Sequence, residues 1–484
     1  MTFRPSPDAV SRAERFALGT VVGLALVTAA GVGFALLLTL VQLRWKPLHE
    51  LDLMIAGGLN DLVAGNDIVV RVLTGVTDLG GTAMLLWVVT VGAAWLLIRR
   101  QPRLAGYAVV TAVGALVLNG AVKALVGRLR PVVDFPVAAS TGMSFPSGHA
   151  MGSLVSYGVL LLIFLPVVPK SARWVFATLV GVVVVAVGFS RMALGAHFLS
   201  DVLAGWLLGL LWLGVTAVAF RRWGHPTTAK VTPLSSGLAP EAESQLRPVP
   251  RRHPPTLPHP WRGAAELVTA WVLLLGLLYG AGLLVSADGT GPVPLAWDHN
   301  AVTWLAHHRV ALLDTFNAYA SRIGSTGGVL AAAFVIGPLV LAITHSWRPV
   351  LFLTVVLVGE VSLFLTTTAI VSRSRPDVPQ LNPNLPPTSS FPSGHVAAAC
   401  ALYAATALLV VSATRRWWKW LVVTATIALV ATVAFTRLYA GVHYPTDVAG
   451  GASMALIWIM VCWWVIRPQG LMTGDSITQS STED

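Results

Sequence analysis

Five residues near the middle of the first half of this chain have the types needed for displacement at phosphorus: Lys123, Arg130, His149, Arg191 and His197. A phosphate ester carries negative charge on oxygens that gain charge as the bond breaks. Arginine offers those oxygens planar, paired donors, and lysine adds a compact charge. Pro146-Ser147-Gly148-His149 supplies a hydroxyl at Ser147, an approachable backbone at Gly148 and the start of a helix, whose N-terminus favours anions. Preorganised donors of this kind are usually the largest single contribution to such catalysis. His197 and Asp201 are four apart, so on a helix they share a face. A carboxylate on one ring nitrogen fixes the tautomer and leaves the other nitrogen free to attack phosphorus. His149 lies on a different segment and can protonate the leaving oxygen, a task suited to an ordinary histidine pKa of about 6.5. The sequence holds no acidic cluster for Mg²⁺, so we expect no metal and no cofactor, with the cations acting in the metal's place.

The same set occurs a second time. Arg373 and Arg375-Pro376 are followed by Ser390-Phe391-Pro392-Ser393-Gly394-His395, then Thr436-Arg437, His443 and Asp447. From His149 to Arg191 is 42 positions, as it is from His395 to Arg437, and each His pair is separated by 48. Most residues between these anchors differ. Candidate phosphate contacts in the second set are Arg373, Arg375, Ser393, Gly394 and Arg437, with His395, His443 and Asp447 as the catalytic group.

Lys-x6-Arg-Pro, then Pro-Ser-Gly-His, then Ser-Arg-x5-His-x3-Asp resembles the pattern of the phosphatidic acid phosphatase type 2 superfamily, which includes the vanadium haloperoxidases. Lys123, Arg130-Pro131, Pro146 to His149, Ser190-Arg191, His197 and Asp201 match it without departure. The resemblance implies that His197 forms a phosphohistidine later hydrolysed by water. It also implies that Lys123, Arg130, Arg191, Ser147 and Gly148 bind phosphate, that no metal is required, and that the site opens at the outer leaflet. The second copy departs at Thr368, which stands where the pattern has Lys, and more mildly at Thr436 in place of Ser. Arg373 is a candidate to replace the missing cation, although Arg128 stands at the matching place in the first copy.

These residues must be held by elements that live in lipid. Only 11% of the 484 residues are charged and 55% are hydrophobic, against about 25% charged in a soluble domain. Mean hydropathy is +0.73. A bilayer crossing needs about 20 apolar residues. Twelve stretches qualify, at roughly 16–43, 82–98, 104–126, 150–168, 174–189, 198–220, 264–285, 327–344, 350–371, 396–413, 418–435 and 448–466. The expected fold is therefore all-α integral membrane, with twelve transmembrane helices as two parallel six-helix repeats. The expected division is a first domain at 1–220, a flexible Pro- and Arg-rich cytoplasmic linker at 221–262, a second domain at 263–468 and a cytoplasmic tail at 469–484. Leu51-Asp52 matches Trp297-Asp298, and Leu79-Gly80-Gly81 matches Ile323-Gly324-Ser325. These pairs lie in segments read as interfacial or re-entrant helices.

Lys and Arg collect at alternate span ends: Arg99, Arg100 and Arg103, Lys170 and Arg173, Arg221 and Arg222, then Arg348, Arg415 and Arg416, and Arg467. Positive loops stay in the cytoplasm, so both termini are expected inside and both His clusters outside. The net charge of +11 serves retention and anionic lipid rather than nucleic acid, because the basic residues sit between apolar spans. Abundant Arg, Ala, Gly and Val point to a GC-rich bacterium. Cys400 and Cys462 lie in apolar runs as small hydrophobes. The function expected is hydrolysis of a lipid phosphate or pyrophosphate, with membrane lipids as surroundings. A phosphotransferase on the same scaffold is the alternative. A twelve-span transporter is disfavoured because its polar residues would sit at the midplane.

Overall fold

A computed structural model describes residues 7–133, 142–224, 236–250, 257, 259–286, 296–381 and 388–468. It divides into two compact units, Met1–Arg247 and Pro248–Asp484. In lipid every backbone polar group must be satisfied within its own segment, which leaves helices as the economical solution for runs this apolar. Among the described residues there is no strand.

The first unit contains α1 (Pro7–Gln42), α2 (Lys46–Ala64), α3 (Asp67–Asp78), α4 (Thr82–Ile98), α5 (Pro102–Val126), α6 (Gly148–Phe164), α7 (Arg173–Ala193), α8 (Leu199–Gly224) and the single turn α9 (Glu243–Leu246). The second contains α10 (Pro260–Ser286), α11 (Ala296–His307), α12 (Ala311–Ala320), α13 (Thr326–Thr344), α14 (Trp347–Ile370), α15 (Gly394–Ala413), α16 (Lys419–Tyr439) and α17 (Pro445–Ile466). Within the first unit α6 packs on α5, α7 and α8, α1 on α8, and α4 on α5 and α6. Within the second, α15 packs on α14, α16 and α17, α10 on α17, and α13 on α14 and α15. Each unit is thus built around the helix that begins at its Ser-Gly-His turn.

Among the described residues ten helices are long and apolar enough to cross a membrane, and an eleventh crossing arises if α3 and α4, bent by 43° at their break, count together. This is fewer than the twelve expected, for local reasons. The stretch expected at 150–168 is helical only to Phe164, because Pro166 has no amide hydrogen to give the Leu162 carbonyl, which accepts from Leu238 instead. The stretch at 82–98 forms a 17-residue helix approached through α3. Large apolar side chains face outward along the spans, among them Val117, Leu125 and Ile427, as expected where lipid replaces water.

The expected linker is partly folded. Leu238, Ala239, Ala242 and Leu246 are buried, and the Leu238 amide donates to the Leu162 carbonyl at 2.8 Å. Arg99 Nε donates to the Gln245 carbonyl at 2.7 Å. These apolar residues recur at intervals that suit a helical turn, a pattern that the surrounding prolines obscure in the sequence. The boundary between the units falls at Arg247 and Pro248, inside the stretch expected to be a linker.

Candidate active site

In each unit the ends of four long helices carry the candidate residues, α5–α8 in the first and α14–α17 in the second. The last turn of α5 carries Lys123, and Gly127 closes it with φ 62°, a left-handed cap that suits glycine. The chain then leaves with Arg128 and Arg130 and returns at Ser144, whose amide donates to the Arg128 carbonyl at 2.8 Å. Ser147 caps α6, its hydroxyl accepting from Ala150 N at 3.4 Å, and its amide donates to the Asp201 carbonyl at 2.9 Å. His149 follows in the first turn of α6. Arg191 lies in the last turn of α7, where Nη1 donates to Thr77 Oγ1 at 3.2 Å. The Arg191 carbonyl accepts from the amides of Ala196 and His197, which turns the chain sharply into α8.

His197 is buried, with 1% of its surface exposed. Its Nδ1 lies 3.4 Å from Asp201 Oδ2. That is close enough to feel the carboxylate but is not aligned as a hydrogen bond. Its Nε2 lies 3.3 Å from Arg130 Nη1, and the same nitrogen of Arg130 donates to the Ala196 carbonyl at 2.7 Å. Burial pulls the His197 pKa down to about 4, partly opposed by Asp201 and reinforced by Arg191 and Arg130. The imidazole is therefore neutral at neutral pH, and one ring nitrogen carries a lone pair beside a guanidinium. His149 makes no close polar contact among the described residues, but it lies within electrostatic reach of Arg191, His197, Lys123 and Arg130. Lys123 lies within reach of Arg130, Asp201 and Arg191.

The second unit repeats this geometry. His443 is buried, and burial lowers its pKa too. Its Nδ1 lies 2.8 Å from the Ser390 carbonyl and 3.6 Å from Asp447 Oδ2. A carbonyl can only accept, so Nδ1 carries the proton and Nε2 the lone pair. Arg375 Nη1 donates to the Val442 carbonyl at 3.0 Å. His395 lies within electrostatic reach of Arg437, His443 and Arg375. Ser393 N donates to the Asp447 carbonyl at 3.0 Å, and Gly394 opens α15.

Arg373, a candidate phosphate contact, pairs with the carboxylates behind His443. Its guanidinium donates to Asp298 Oδ2 at 2.7 Å, to Thr446 Oγ1 at 2.7 Å and to Asp447, and it stacks over the Tyr444 ring at 4.3 Å. Arg128 is engaged in the same way by Asp52 and Asp201, each at 2.8 Å, over the Phe198 ring at 4.2 Å. These donors face buried carboxylates, while Thr368 stands where the first copy has Lys123. Sequence reasoning assigned Asp52 and Asp298 no role, although their match between the halves was visible. Asp52 sits on α2, fully buried, and accepts from Ser200 N at 2.9 Å. Asp298, on α11, accepts from Thr446 N at 2.9 Å. Each fixes the arginine that holds the carboxylate behind the histidine. Gly80 and Gly324 are the second matched feature. A Cβ on Gly80 would lie 2.9 Å from the His149 carbonyl, and one on Gly324 would lie 2.8 Å from that of His395.

Among known proteins, the PAP2 superfamily model matches residues 103–224 and 348–470, one match in each unit. Over 147 residues the chain is 38% identical to phosphatidylglycerophosphatase B of Bacillus subtilis (strain 168), covering 29% of this chain and 70% of that protein. Over 145 residues it is 31% identical to an undecaprenyl-diphosphatase of Sulfolobus acidocaldarius, covering 29% of this chain and 65% of that protein. The crystal structure of a transmembrane PAP2 type phosphatidylglycerolphosphate phosphatase from Bacillus subtilis aligns with a TM-score of 0.38 and 27% identity, over 42% of this chain and 98% of that one.

Proposed function

Because the chain belongs to the PAP2 superfamily, we propose that it is a membrane phosphatase that hydrolyses lipid phosphates or pyrophosphates at a histidine-centred cluster in each unit. Relatives named as a phosphatidylglycerophosphatase and an undecaprenyl-diphosphatase support that substrate class. The observation that carries the reading is a buried neutral histidine, His197, with Nδ1 turned to Asp201 and Nε2 facing Arg130, and its counterpart His443.

Nε2 of His197 attacks phosphorus while Lys123, Arg130 and Arg191, with Ser147 and Gly148, hold the three peripheral oxygens. The P–O bond to the leaving group breaks, and its electron pair stays on that oxygen, which takes a proton from His149. His149, now neutral, accepts a proton from water as the water oxygen attacks the phosphohistidine. The N–P bond breaks and orthophosphate leaves. Asp201 stabilises the charge that forms on the imidazole and is itself held by Arg128. His443, His395, Asp447, Arg375, Arg437, Ser393 and Gly394 take the same roles in the second unit. The cations here do the electrostatic work a metal does elsewhere, so activity persists in EDTA.

Six helices in each unit, α1 with α4–α8 and α10 with α13–α17, would make twelve crossings in two parallel repeats. The basic residues at the opposite helix ends, Arg100, Lys170 and Arg173 among them, support cytoplasmic termini and clusters at the outer face. The test is orthophosphate release by purified protein in detergent with EDTA, for wild type, His197→Ala, His443→Ala and the double variant. The double variant is expected to release none. Full activity in the double variant, or its loss from wild type in EDTA, overturns the reading.

A further inference from the structure

The two clusters share their histidines, carboxylates and arginines but differ along one wall. α5 presents Asn119 and Lys123 one turn apart, beside the backbone of Gly148. A Cβ at Gly148 would lie 3.2 Å from Asn119 Oδ1 and 4.0 Å from Lys123 Nζ. At the same register before Arg375, α14 presents Phe364 and Thr368. A Cβ at Gly394 would lie 2.7 Å from the Phe364 ring. The Thr368 hydroxyl donates to the Leu365 carbonyl of its own helix at 3.0 Å, so it does not stand in for the lysine. A cation and an amide are thus replaced by an aromatic ring beside the residue that precedes the leaving-group acid.

The rest of the second cluster keeps its capacity to hold an oxyanion. Ser393 Oγ and Arg437 Nε are buried, and neither has a hydrogen-bond partner among the described residues. Buried donors left unpaired are costly, and phosphate oxygens are the acceptors that Arg and Ser at this place would suit. The cluster is therefore one that binds phosphate with two cations, Arg375 and Arg437, where the first has three.

We propose that the second cluster hydrolyses lipid monophosphates and rejects lipid diphosphates, that the first accepts diphosphates, and that Phe364 and Thr368 set this difference. The proposal rests on the phosphatase reading above. The leaving group decides the matter. When a monoester is cleaved, the departing oxygen is protonated by His395 and leaves as an uncharged alcohol, which an aromatic wall tolerates. When the terminal phosphorus of a diphosphate is attacked, the departing group is a lipid phosphate that keeps its charge. Beside Gly148 that charge meets Lys123 and Asn119. Beside Gly394 it would meet Phe364 and lose its hydration without replacement. The product of the first cluster, a lipid monophosphate, is then a substrate of the second. Together they convert one lipid diphosphate and two waters into the free alcohol and two orthophosphates.

The experiment uses the full chain in detergent with farnesyl diphosphate or farnesyl monophosphate, following orthophosphate. His197→Ala silences the first cluster, so the remaining release reports the second. That variant is expected to act on the monophosphate at least about tenfold faster than on the diphosphate, a ratio within reach of one mismatched contact. Adding Phe364→Asn with Thr368→Lys is expected to raise the diphosphate rate by about tenfold or more, with monophosphate release showing that the chain is folded. If those substitutions abolish all release, the substrate ratio of His197→Ala alone decides. Equal rates on the two substrates in His197→Ala, silence on both, or a folded swapped chain with unchanged diphosphate rate overturns the proposal. Release persisting in His197→Ala with His443→Ala would instead remove the phosphatase reading beneath it.

Discussion

His197 owes its neutrality to burial rather than to its carboxylate partner, since desolvation outweighs the opposing pull of Asp201 and brings the pKa from 6.5 to about 4. This has a consequence for stability, because the unfolded chain binds a proton at this residue in a pH range where the folded chain does not. With the folded pKa below the unfolded one, the contribution of His197 to stability is complete above about pH 6.5. It is lost as pH falls through the folded value of about 4. Thermal midpoints of wild type and His197→Gln should therefore run parallel above about pH 6.5 and converge, or cross, between about 6.5 and 4, wild type losing more. Parallel curves across that interval would show that His197 titrates normally. The approach of His197 to Asp201 was legible from their four-residue spacing. The proton position in the second copy was not, because Nδ1 of His443 is fixed by the Ser390 carbonyl, a backbone atom that no side-chain pattern reveals.

Helices α2 and α11 are less apolar than the spans around them, and each buries one carboxylate. Asp52 reaches from α2 to Arg128 after α5 and to Ser200 at the start of α8. Asp298 ties α11 to Arg373 and Thr446 in the same way. In each unit two segments, the one after α5 or α14 and the start of α8 or α17, are thereby pinned at one buried carboxylate. Removing one partner of a buried pair typically costs about 3–5 kcal/mol, because the other charge is left uncompensated. Asp52→Ala is expected to lower the thermal midpoint and, in a His443→Ala background, to lower kcat by about tenfold or more as Asp201 loses its support. Asp298→Ala in a His197→Ala background is expected to do the same. Unchanged kcat would make these carboxylates packing residues only. The match of Leu51-Asp52 with Trp297-Asp298 was plain in the sequence, but its purpose was not. The partners lie 76 and 148 positions away, and only the fold brings them together. The same holds for Gly80, whose missing side chain lets the break between α3 and α4 lie against the His149 carbonyl.

At the scale of the molecule, duplication was the easiest feature to read, since equal spacings between matched histidines survive wherever the helices between them keep their length. Span number was harder. α6 stops early at Pro166 and α4 is reached through a bend, neither of which a hydropathy window resolves. The packed turn at Leu238–Leu246 was hidden by the prolines around it. Orientation rests on charge alone, and the chain offers a clean way to measure it. Its two cysteines, Cys400 and Cys462, are buried and free, so a membrane-impermeant maleimide should leave wild type unlabelled in intact cells. Val132 lies in the loop after Arg130 and is 95% exposed. Ser171 is exposed at the opposite ends of α6 and α7. If the cluster opens outward, Val132→Cys is labelled on intact cells and Ser171→Cys only after the membrane is permeabilised. The reverse pattern would place the phosphate chemistry in the cytoplasm. The Lys and Arg at the helix ends would then lie on the outer side, against the charge bias that normally sets topology, and the lipid phosphates within reach would be those of the inner leaflet.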